Sequence, residues 1–484
     1  MREIHRAYHP IFENNFKRMN IGLIFPNKDR RYKTIHLGLA YIAAFARLHH
    51  DDLTFKVLDT RVATRREEKD FYDSNFDLIG ITVFSPVYLE VIEIFNKIKQ
   101  KNSELPVCLG GPYVTTIMQD IFDETPAEYA IYGEGEESFN ELLWFLKGKG
   151  SLDKIQGLMY KKADNGIFTN PQRDRIKILD HLPTPAYDIF PMERYPLHRF
   201  VASRGCPFSC AWCNSSSLWK NGHFVMGAEK VVDEIEYLLK NYGEKSVIFG
   251  DNTFNSDIKR VEKFCDLLID RNIKILWSVS LRPDNINLEI AQKMKRSGCF
   301  NVSIGIESAN NEILKKIGKG TSIEKIKQGI DILKTAGIEI MSQYVIGSPF
   351  DTLETVKQSI IFAKSSGCDY TNFYTVLPFK GTPQWEYVKK HGKLFENKIH
   401  KFHSINPRVV FETPEFDYKE RLQAIELVRK EGFYSNKDKK NWLFDFAKDI
   451  SNRIQNILPY KIGENVYMIL KSIYRLKIFK KNNL

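Results

Sequence analysis

The chain has 484 residues and a mass of 56.4 kDa, which predicts two or three domains because single hydrophobic cores stop growing at ~250–300 residues. Hydrophobic residues make up 43% and charged residues 27%, a balance that excludes a disordered chain, a collagen-like fibre and a disulfide-stapled miniprotein. The net charge of +11 is concentrated in residues 437–484, where eleven Lys and Arg face four Asp and Glu for a net of +7. The rest of the chain is nearly balanced, so we expect no nucleic-acid partner.

The hydropathy of the chain and the composition of its N-terminus indicate the cellular compartment in which we expect the protein. No apolar run approaches the ~18 residues that a membrane-spanning helix needs. Residues 1–17 are polar and of mixed charge, without the apolar stretch of a signal peptide. We therefore expect a cytoplasmic protein.

Strand and helix patterns alternate through residues 19–150, after an N-terminal extension of residues 1–18. This alternation predicts βαβ units and a doubly wound, Rossmann-like parallel sheet. Ligands of such sheets bind beyond the carboxyl ends of the strands. The segments that follow the predicted strands there are Ser85-Pro86, Gly110-Gly111 and Gly133-Glu134-Gly135.

Residues 151–199 break the alternation. Two short apolar segments flank Ala163-Asp164-Asn165, which is typical of a β-hairpin. Prolines follow at positions 171, 183, 185, 191 and 196, so we interpret this stretch as a hairpin and a proline-rich linker between domains.

Alternation resumes on a longer scale in residues 200–392. Six strand–helix steps are fewer than the eight of a closed barrel, so the pattern predicts a partial (β/α)6 TIM barrel that is open along one side. Residues 393–484 are predicted to form a mostly helical C-terminal region. The six predicted barrel strands are residues 200–203, 246–249, 275–280, 301–306, 338–346 and 370–376.

Three of the seven cysteines lie within eight positions. Cys206, Cys210 and Cys213 have the spacing C-x3-C-x2-C and follow the first predicted barrel strand, where loops carry catalysis. Zinc usually needs a fourth ligand, and the nearest candidate, His223, is ten residues further on. Three thiolates on an iron–sulfur cluster leave one iron open for a substrate. The other four cysteines are expected to be small buried hydrophobic residues.

This cysteine motif, with Trp212 directly before its last cysteine, resembles the signature of the radical S-adenosylmethionine (radical SAM) superfamily. The resemblance implies a [4Fe-4S] cluster on the three cysteines and SAM chelated to the open iron. It also implies reductive cleavage of SAM to a 5′-deoxyadenosyl radical, with a flavodoxin or ferredoxin as electron donor. The partial barrel of that superfamily matches the strand count obtained independently.

The same layout indicates further SAM contacts at the ends of later strands. Aspartate and glycine end the second strand, Arg282 follows the third, a serine and a glutamate belong to the fourth, and a glycine motif ends the fifth. The residues that the resemblance assigns to SAM are Trp212, Gly250, Asp251, Arg282, Ser303, Glu307 and Gly347.

The N-terminal domain resembles the cobalamin-binding domains that are fused to radical SAM barrels. The chain departs from one pattern, because the Asp-x-His-x-x-Gly loop of methionine-synthase-type domains has no match in residues 25–31. Many fused members lack this loop as well, and His36 is interpreted as a helix-start residue. The residues assigned to cobalamin are Ser85, Gly110, Gly111, Gly133, Glu134 and Gly135.

Two enzymatic functions are compatible with these patterns. The first is cobalamin-dependent methyl transfer to an unactivated carbon or to phosphorus. The second is radical cyclisation, rearrangement or C–C bond formation on a lipid, tetrapyrrole or natural product. A tRNA methylthiotransferase needs a second cysteine triad, but the N-terminal domain holds only Cys108. A non-catalytic module is disfavoured by the intact triad.

The basic tail indicates a further contact. Residues 437–484 place apolar side chains at helical spacing among their lysines. Such a helix can lie on an anionic membrane, but the favoured interpretation is that the apolar stripe packs on the barrel while the lysines stay solvated. Peripheral membrane contact through this tail, and with it a small-molecule or lipid-linked substrate, is therefore an expectation to test.

Overall fold

The computed structural model describes residues 18–26, 34–162, 166–195, 198–219, 222–396 and 409–433. They divide into two compact units. The first ends at Phe190, and the second starts again at Pro191 and also includes Thr34 and Ile35. The turn residues 163–165, the linker residue Pro196 and the basic tail 437–484 lie outside the described residues. None of the helices in the described ranges is long and apolar enough to cross a membrane.

The first unit is built on a seven-stranded sheet with the order β2-β1-β3-β4-β5-β6-β7. The first five strands pair in parallel, in the order of flavodoxin-like sheets, whose ligands bind where the strand order reverses, beside β1 and β3. The predicted hairpin is confirmed as β6 and β7, which add antiparallel to β5 and extend this sheet. The strands are β1 Met19–Phe25, β2 Leu53–Asp59, β3 Leu78–Thr82, β4 Val107–Gly110, β5 Tyr129–Ile131, β6 Leu158–Lys161 and β7 Ile167–Thr169.

In the described part of this unit six α-helices connect the strands, and two of them begin at a side-chain cap. Thr64 and Glu67 form a reciprocal capping box at the start of α2. His36 caps α1, because its Nδ1 accepts the Leu39 N–H at 3.0 Å, which confirms it as a helix-start residue. The helices are α1 Leu37–His49, α2 Arg65–Tyr72, α3 Tyr88–Lys101, α4 Pro112–Ile117, α5 Ile121–Glu124 and α6 Glu136–Leu146.

The second unit contains a six-stranded parallel sheet with the order β8-β11-β12-β13-β14-β15, which confirms the predicted partial barrel. Two short antiparallel pairs accompany it, β9 with β10 and β16 with β17. The strands are β8 His198–Phe200, β9 Ser203–Gly205, β10 His223–Val225, β11 Ser246–Phe249, β12 Leu276–Leu281, β13 Cys299–Glu307, β14 Glu339–Ile346, β15 Tyr370–Thr375, β16 Lys393–Leu394 and β17 Phe411–Glu412.

An aromatic cluster anchors the first half of this barrel. Trp277 of β12 is fully buried, and its ring centroid lies 5.3 Å from that of Phe264 and 5.8 Å from that of Phe254. Phe249 of β11 packs edge-on against Phe264. The helices of this unit are α7 Asn214–Trp219, α8 Ala228–Tyr242, α9 Ile258–Asp270, α10 Leu288–Arg296, α11 Asn311–Lys316, α12 Ile323–Thr335, α13 Leu353–Ser365, α14 Pro383–His391 and α15 Tyr418–Lys430.

The C-terminal part of the second unit covers the free edge of β15. The Phe373 N–H of β15 donates to the Phe433 carbonyl at 3.0 Å, and the two rings stack with their centroids 5.9 Å apart. Within residues 393–484, the described part consists of the β16–β17 pair and α15. This segment therefore supplies a partner to the last strand of an open sheet.

Candidate functional site: the cysteine loop and the glycine edge

The three cysteines of the motif lie in an irregular loop between β9 and α7, and all three are half-buried. The loop is held by backbone hydrogen bonds at Ala211, whose N–H donates to the Ile317 carbonyl at 2.9 Å and whose carbonyl accepts the Gln384 N–H at 3.0 Å. The Cys206 Sγ lies 3.4 Å from the Thr253 Oγ1 beyond β11. The loop therefore has a defined path at the carboxyl edge of the barrel.

Two buried ion pairs stand beside this loop. Lys319 Nζ donates to Glu307 Oε1 at 2.9 Å, and both residues are over nine-tenths buried. Arg282 pairs with Asp284 at 2.7 Å, and its guanidinium lies 4.0 Å from the ring centroid of Phe208, inside the cysteine loop. The two pairs place cationic groups near the thiols, where thiolate charge must be accommodated once metal binds.

Burial favours the neutral form of two of the thiols, those of Cys210 and Cys213. Burial raises the pKa of Cys213 to about 11. Burial also raises the pKa of Cys210, an effect that the charge of Lys319 partly offsets. Metal binding must therefore displace protons from this loop. Within the described ranges, no three His, Cys, Asp or Glu side chains converge on a single metal ion.

Several buried polar atoms around the cysteine loop and the strand ends have no partner among the described residues. Orphaned buried polar atoms are rare in folded proteins, and they are expected where a ligand completes the site. They belong to one indole, one amide and three serines. The atoms are Trp212 Nε1, Asn214 Oδ1, Ser303 Oγ, Ser308 Oγ and Ser348 Oγ. The residues present thus fit a site that receives a polar cofactor.

One face of the barrel sheet is half-buried and polar. On β13, Val302, Ile304 and Ile306 are fully buried, whereas the alternate positions Asn301 and Ser303 are half-buried. Half-buried polar residues also lie on the neighbouring strands. Ser280 on β12 is opposite Ser303, and Gln343 on β14 is opposite Asn372 on β15. A sheet face that carries hydroxyl and amide groups can bind a polar ligand.

The two predicted SAM residues that directly follow β11 make contacts within the protein. Both carboxylate oxygens of the buried Asp251 accept hydrogen bonds, from the Ala202 N–H at 3.0 Å and from the Ser203 hydroxyl. A Cβ at Gly250 would overlap the Arg199 guanidinium. The geometry gives both residues a part in positioning the segment that leads to Cys206, and direct contact with SAM stays a prediction.

Two further predicted residues each adjoin a charged residue that sequence reasoning missed. Glu307 has a left-handed backbone, with φ of 70°, and pairs with Lys319. Gly347, with φ of 91°, leaves room for the Arg421 guanidinium, which a Cβ there would overlap. Lys319 and Arg421 lie 12 and 74 positions away from these partners, so no local pattern connects them.

The glycines of the first unit separate into two kinds. A Cβ at Gly110, at the end of β4, would meet only the Ile131 carbonyl at 3.8 Å, and one at Gly133 would meet only the Gln172 amide at 3.8 Å. Gly111 faces inward, with φ of 104° and a Cβ position 2.9 Å from Thr82 Oγ1. Gly110 and Gly133 therefore leave open space at the sheet edge, as a large planar ligand requires, whereas Gly111 makes the turn.

The remaining predicted cobalamin residues line the same edge. Ser85 is half-buried and begins a 3-10 turn after β3. Glu134 is turned toward the following segment, where its carboxylate accepts the Ile176 N–H at 2.7 Å. A Cβ at Gly135 would lie 3.3 Å from Ile42 of α1. The structure thus places Ser85 at the edge and gives Glu134 and Gly135 packing roles within this unit.

Two family models match the chain. Residues 27–143 match the B12 binding domain, and residues 200–363 match the radical SAM superfamily. The chain is 34% identical over 411 residues to the uncharacterised methyltransferase PH0819 of Pyrococcus horikoshii, an alignment that covers 81% of this chain and 88% of the relative.

A second relative carries out a different reaction. The chain is 29% identical over 318 residues to the anaerobic magnesium-protoporphyrin IX monomethyl ester cyclase of Rubrivivax gelatinosus, and the alignment covers 63% of this chain and 57% of the cyclase. The chain thus spans just over half the length of that protein.

The fold is similar to that of a solved enzyme. The radical SAM methyltransferase TsrM of Kitasatospora setae, solved with cobalamin and a [4Fe-4S] cluster, superposes with a TM-score of 0.67 at 19% identity, covering 77% of this chain and 75% of TsrM. At this identity the likeness concerns the fold.

Proposed function

The chain belongs to the radical SAM superfamily and carries an N-terminal B12-binding domain, and we propose from this membership that it is a cobalamin-dependent methyltransferase acting on an unactivated carbon or on phosphorus. Its cofactors are those of its two domains, namely a [4Fe-4S] cluster, SAM and cobalamin. The observation that carries the proposal is the position of the cysteine loop at the carboxyl edge of a partial barrel, where several buried polar atoms have no partner among the described residues.

In this proposal Cys206, Cys210 and Cys213 hold the cluster. Bound there, the cluster supplies the electron that cleaves SAM, and cobalamin carries the methyl group that is transferred. Trp212, Ser303 and the backbone around Gly347 lie where polar atoms could meet SAM, and Arg282 lies against the cysteine loop. Gly110 and Gly133 would leave the space that the corrin ring occupies.

The test uses the full chain reconstituted without oxygen, and it needs no knowledge of the substrate. Enzyme that holds the cluster and reduced cobalamin is incubated with SAM that carries a deuterated methyl group. We expect labelled methyl on the protein-bound corrinoid, and we expect 5′-deoxyadenosine after dithionite reduction. A chain that takes up iron but forms neither product would refute the proposal.

Cyclisation or rearrangement is the alternative, and the 29% identity to a cyclase favours it as the second candidate. Both enzymes would release 5′-deoxyadenosine, so this product does not separate them. Absence of label from a fully loaded corrinoid, together with normal 5′-deoxyadenosine formation, would select the alternative.

The substrate and the physiological partners form a further part of the proposal. The half-buried polar face of the barrel favours a small substrate with hydrogen-bonding groups. A flavodoxin or ferredoxin would deliver the electron in the cytoplasm. The basic residues 437–484 would bring the enzyme to a lipid-linked substrate at an anionic membrane.

Sedimentation with anionic liposomes at low and high salt tests the tail. The full chain should sediment with the vesicles at low salt and should be released at high salt. A chain that ends at residue 436 should stay in the supernatant. Equal behaviour of the two chains would remove the membrane contact from the proposal.

A further inference from the structure

The turn that connects β14 to α13 is strained and buried. Gly347 has φ of 91°, and Phe350, which is not a glycine, has φ of 65°. The carboxylate of the fully buried Asp351 accepts the Gly347 N–H at 2.8 Å and the Thr355 hydroxyl. Left-handed backbone outside glycine persists only where the surroundings enforce it, and it is concentrated at ligand sites.

Arg421 enforces this turn from α15, which lies 74 positions further along the chain. Its Nη1 occupies the place that a side chain at Gly347 would take. Only 4% of the residue is exposed. The guanidinium charge also interacts electrostatically with Asp351, and it lowers the pKa of that carboxyl against the effect of burial. The arginine thus fills the left-handed corner of the turn and supports its carboxylate.

The guanidinium is itself held on several sides. Its Nε donates to the Phe416 carbonyl at 2.8 Å, and its Nη2 donates to Thr413 Oγ1 at 3.3 Å. Its Cζ lies 4.2 Å from the ring centroid of Phe411 and 4.8 Å from that of Phe416. A planar group fixed by hydrogen bonds to two acceptors and by two aromatic rings cannot be replaced by the single ammonium of lysine without loss of contacts.

The turn also contains an unpartnered polar atom. Ser348 is 1% exposed, and its hydroxyl has no hydrogen-bond partner among the described residues. The turn lies at the carboxyl end of a barrel strand, the edge that carries the ligand in this fold. Arg421 of α15 therefore stabilises the conformation of the turn, and the Ser348 hydroxyl remains free to bind a ligand.

We propose that Arg421 is a positioning residue, by which the C-terminal segment of residues 409–433 holds the Gly347 turn in the conformation that receives SAM. The inference rests on the proposed function, since it takes the Gly347 turn as part of the SAM site. It goes beyond that function by making the affinity for SAM depend on a residue outside the barrel strands.

The experiment measures binding of S-adenosylhomocysteine to the reconstituted full chain by equilibrium dialysis, because this probe is not cleaved. Arg421→Lys should weaken binding roughly 10-fold, in line with the loss of a few directed contacts. Thr413→Val removes one acceptor of the guanidinium and should weaken it less. Lys419→Gln, an exposed position on the same helix, is the matched control and should bind as the wild type does.

Iron content and the unfolding midpoint are recorded for each variant. Weaker binding by both Arg421→Lys and Thr413→Val at wild-type iron content supports the inference. A merely structural role would lower the midpoint of both variants and leave their affinity unchanged, and that result overturns it. Failure of the iron-loaded wild type to bind the probe is a different outcome, because it overturns the proposed function on which the inference rests.

Discussion

The two adjacent glycines at the end of β4 should respond in opposite ways to substitution. Gly111 has φ of 104° and ψ of −178°, a conformation that is essentially restricted to glycine and costs other residues ~1–3 kcal/mol. Its added Cβ would also lie 3.0 Å from the Val83 carbonyl oxygen. Val83 cannot shift freely, because its N–H donates to the Gly110 carbonyl at 2.7 Å and its carbonyl accepts the Tyr113 N–H.

Gly111→Ala should therefore lower the free energy of unfolding by about 2–3 kcal/mol, the sum of backbone strain and crowding. Gly110 has no left-handed backbone, and its added Cβ would meet nothing closer than 3.8 Å. Gly110→Val should change stability by no more than about 0.5 kcal/mol. Its side chain would instead occupy the open space at the sheet edge, so retention of cobalamin should fall.

The assay combines thermal unfolding of the full chain with hydroxocobalamin retained after gel filtration. Gly148→Ala is the matched control, because Gly148 has φ of 80° and open surroundings, so it reports strain without crowding or ligand loss. A Gly110→Val chain that folds normally and keeps its full complement of corrinoid would refute the placement of cobalamin over this edge.

Three other substitutions test the barrel. Replacing Cys206, Cys210 and Cys213 together by alanine should abolish iron uptake and visible absorbance. The control Cys368→Ala should leave both intact. Iron retained by the triple variant would show that the ligands are misassigned. Burial raises the pKa of Glu234 from 4.5 to about 7, so the folded state holds a proton that the unfolded chain releases, and stability falls as pH rises through this window. Glu234→Gln should therefore stabilise the protein by about 3 kcal/mol at pH 8 and little at pH 4. The control Glu312→Gln, at an exposed position, should leave stability unchanged at both pH values. Equal denaturation curves of Glu234→Gln and wild type at pH 8 would contradict this prediction. Lys319→Met should lower the free energy of unfolding by ~3–5 kcal/mol, because it leaves the buried Glu307 carboxylate unpaired. In a denaturation experiment, adding Glu307→Gln should restore most of this loss. A double variant that is no more stable than Lys319→Met would exclude the pairing.

Much of the architecture could be predicted because its signals are local. Most barrel strands contain apolar residues and are followed by a helix with regular periodicity, so the predicted positions of all six lie within a few residues of the observed bounds. The cysteine loop could also be predicted from the sequence, since its three thiols lie within eight positions. The hairpin was also predicted from its turn residues, but its attachment to β5 was not, because pairing between strands depends on tertiary contacts.

The roles of individual site residues depend on contacts that no sequence window contains. The resemblance to the radical SAM layout assigns Asp251 to SAM, and the structure shows its carboxylate bound to the Ala202 N–H and the Ser203 hydroxyl. Glu134 follows a strand in the same way and is bound to the Ile176 N–H. A carboxylate after a parallel strand can reach either a ligand or the neighbouring loop, and only the packing of that loop decides between them.

Backbone strain connects these contacts to the site. Four non-glycine residues in the described ranges have a left-handed backbone, and two of them, Glu307 and Phe350, lie at the carboxyl ends of the neighbouring strands β13 and β14. A buried cationic side chain from outside the strand adjoins each of them. Lys319 pairs with Glu307, and the Arg421 guanidinium fills the space at Gly347 in the turn that contains Phe350. Natural sequences violate local preferences mainly at functional sites, where other contacts compensate. The strained positions therefore mark the same edge as the cysteine loop, and they do so without any reference to the cysteines.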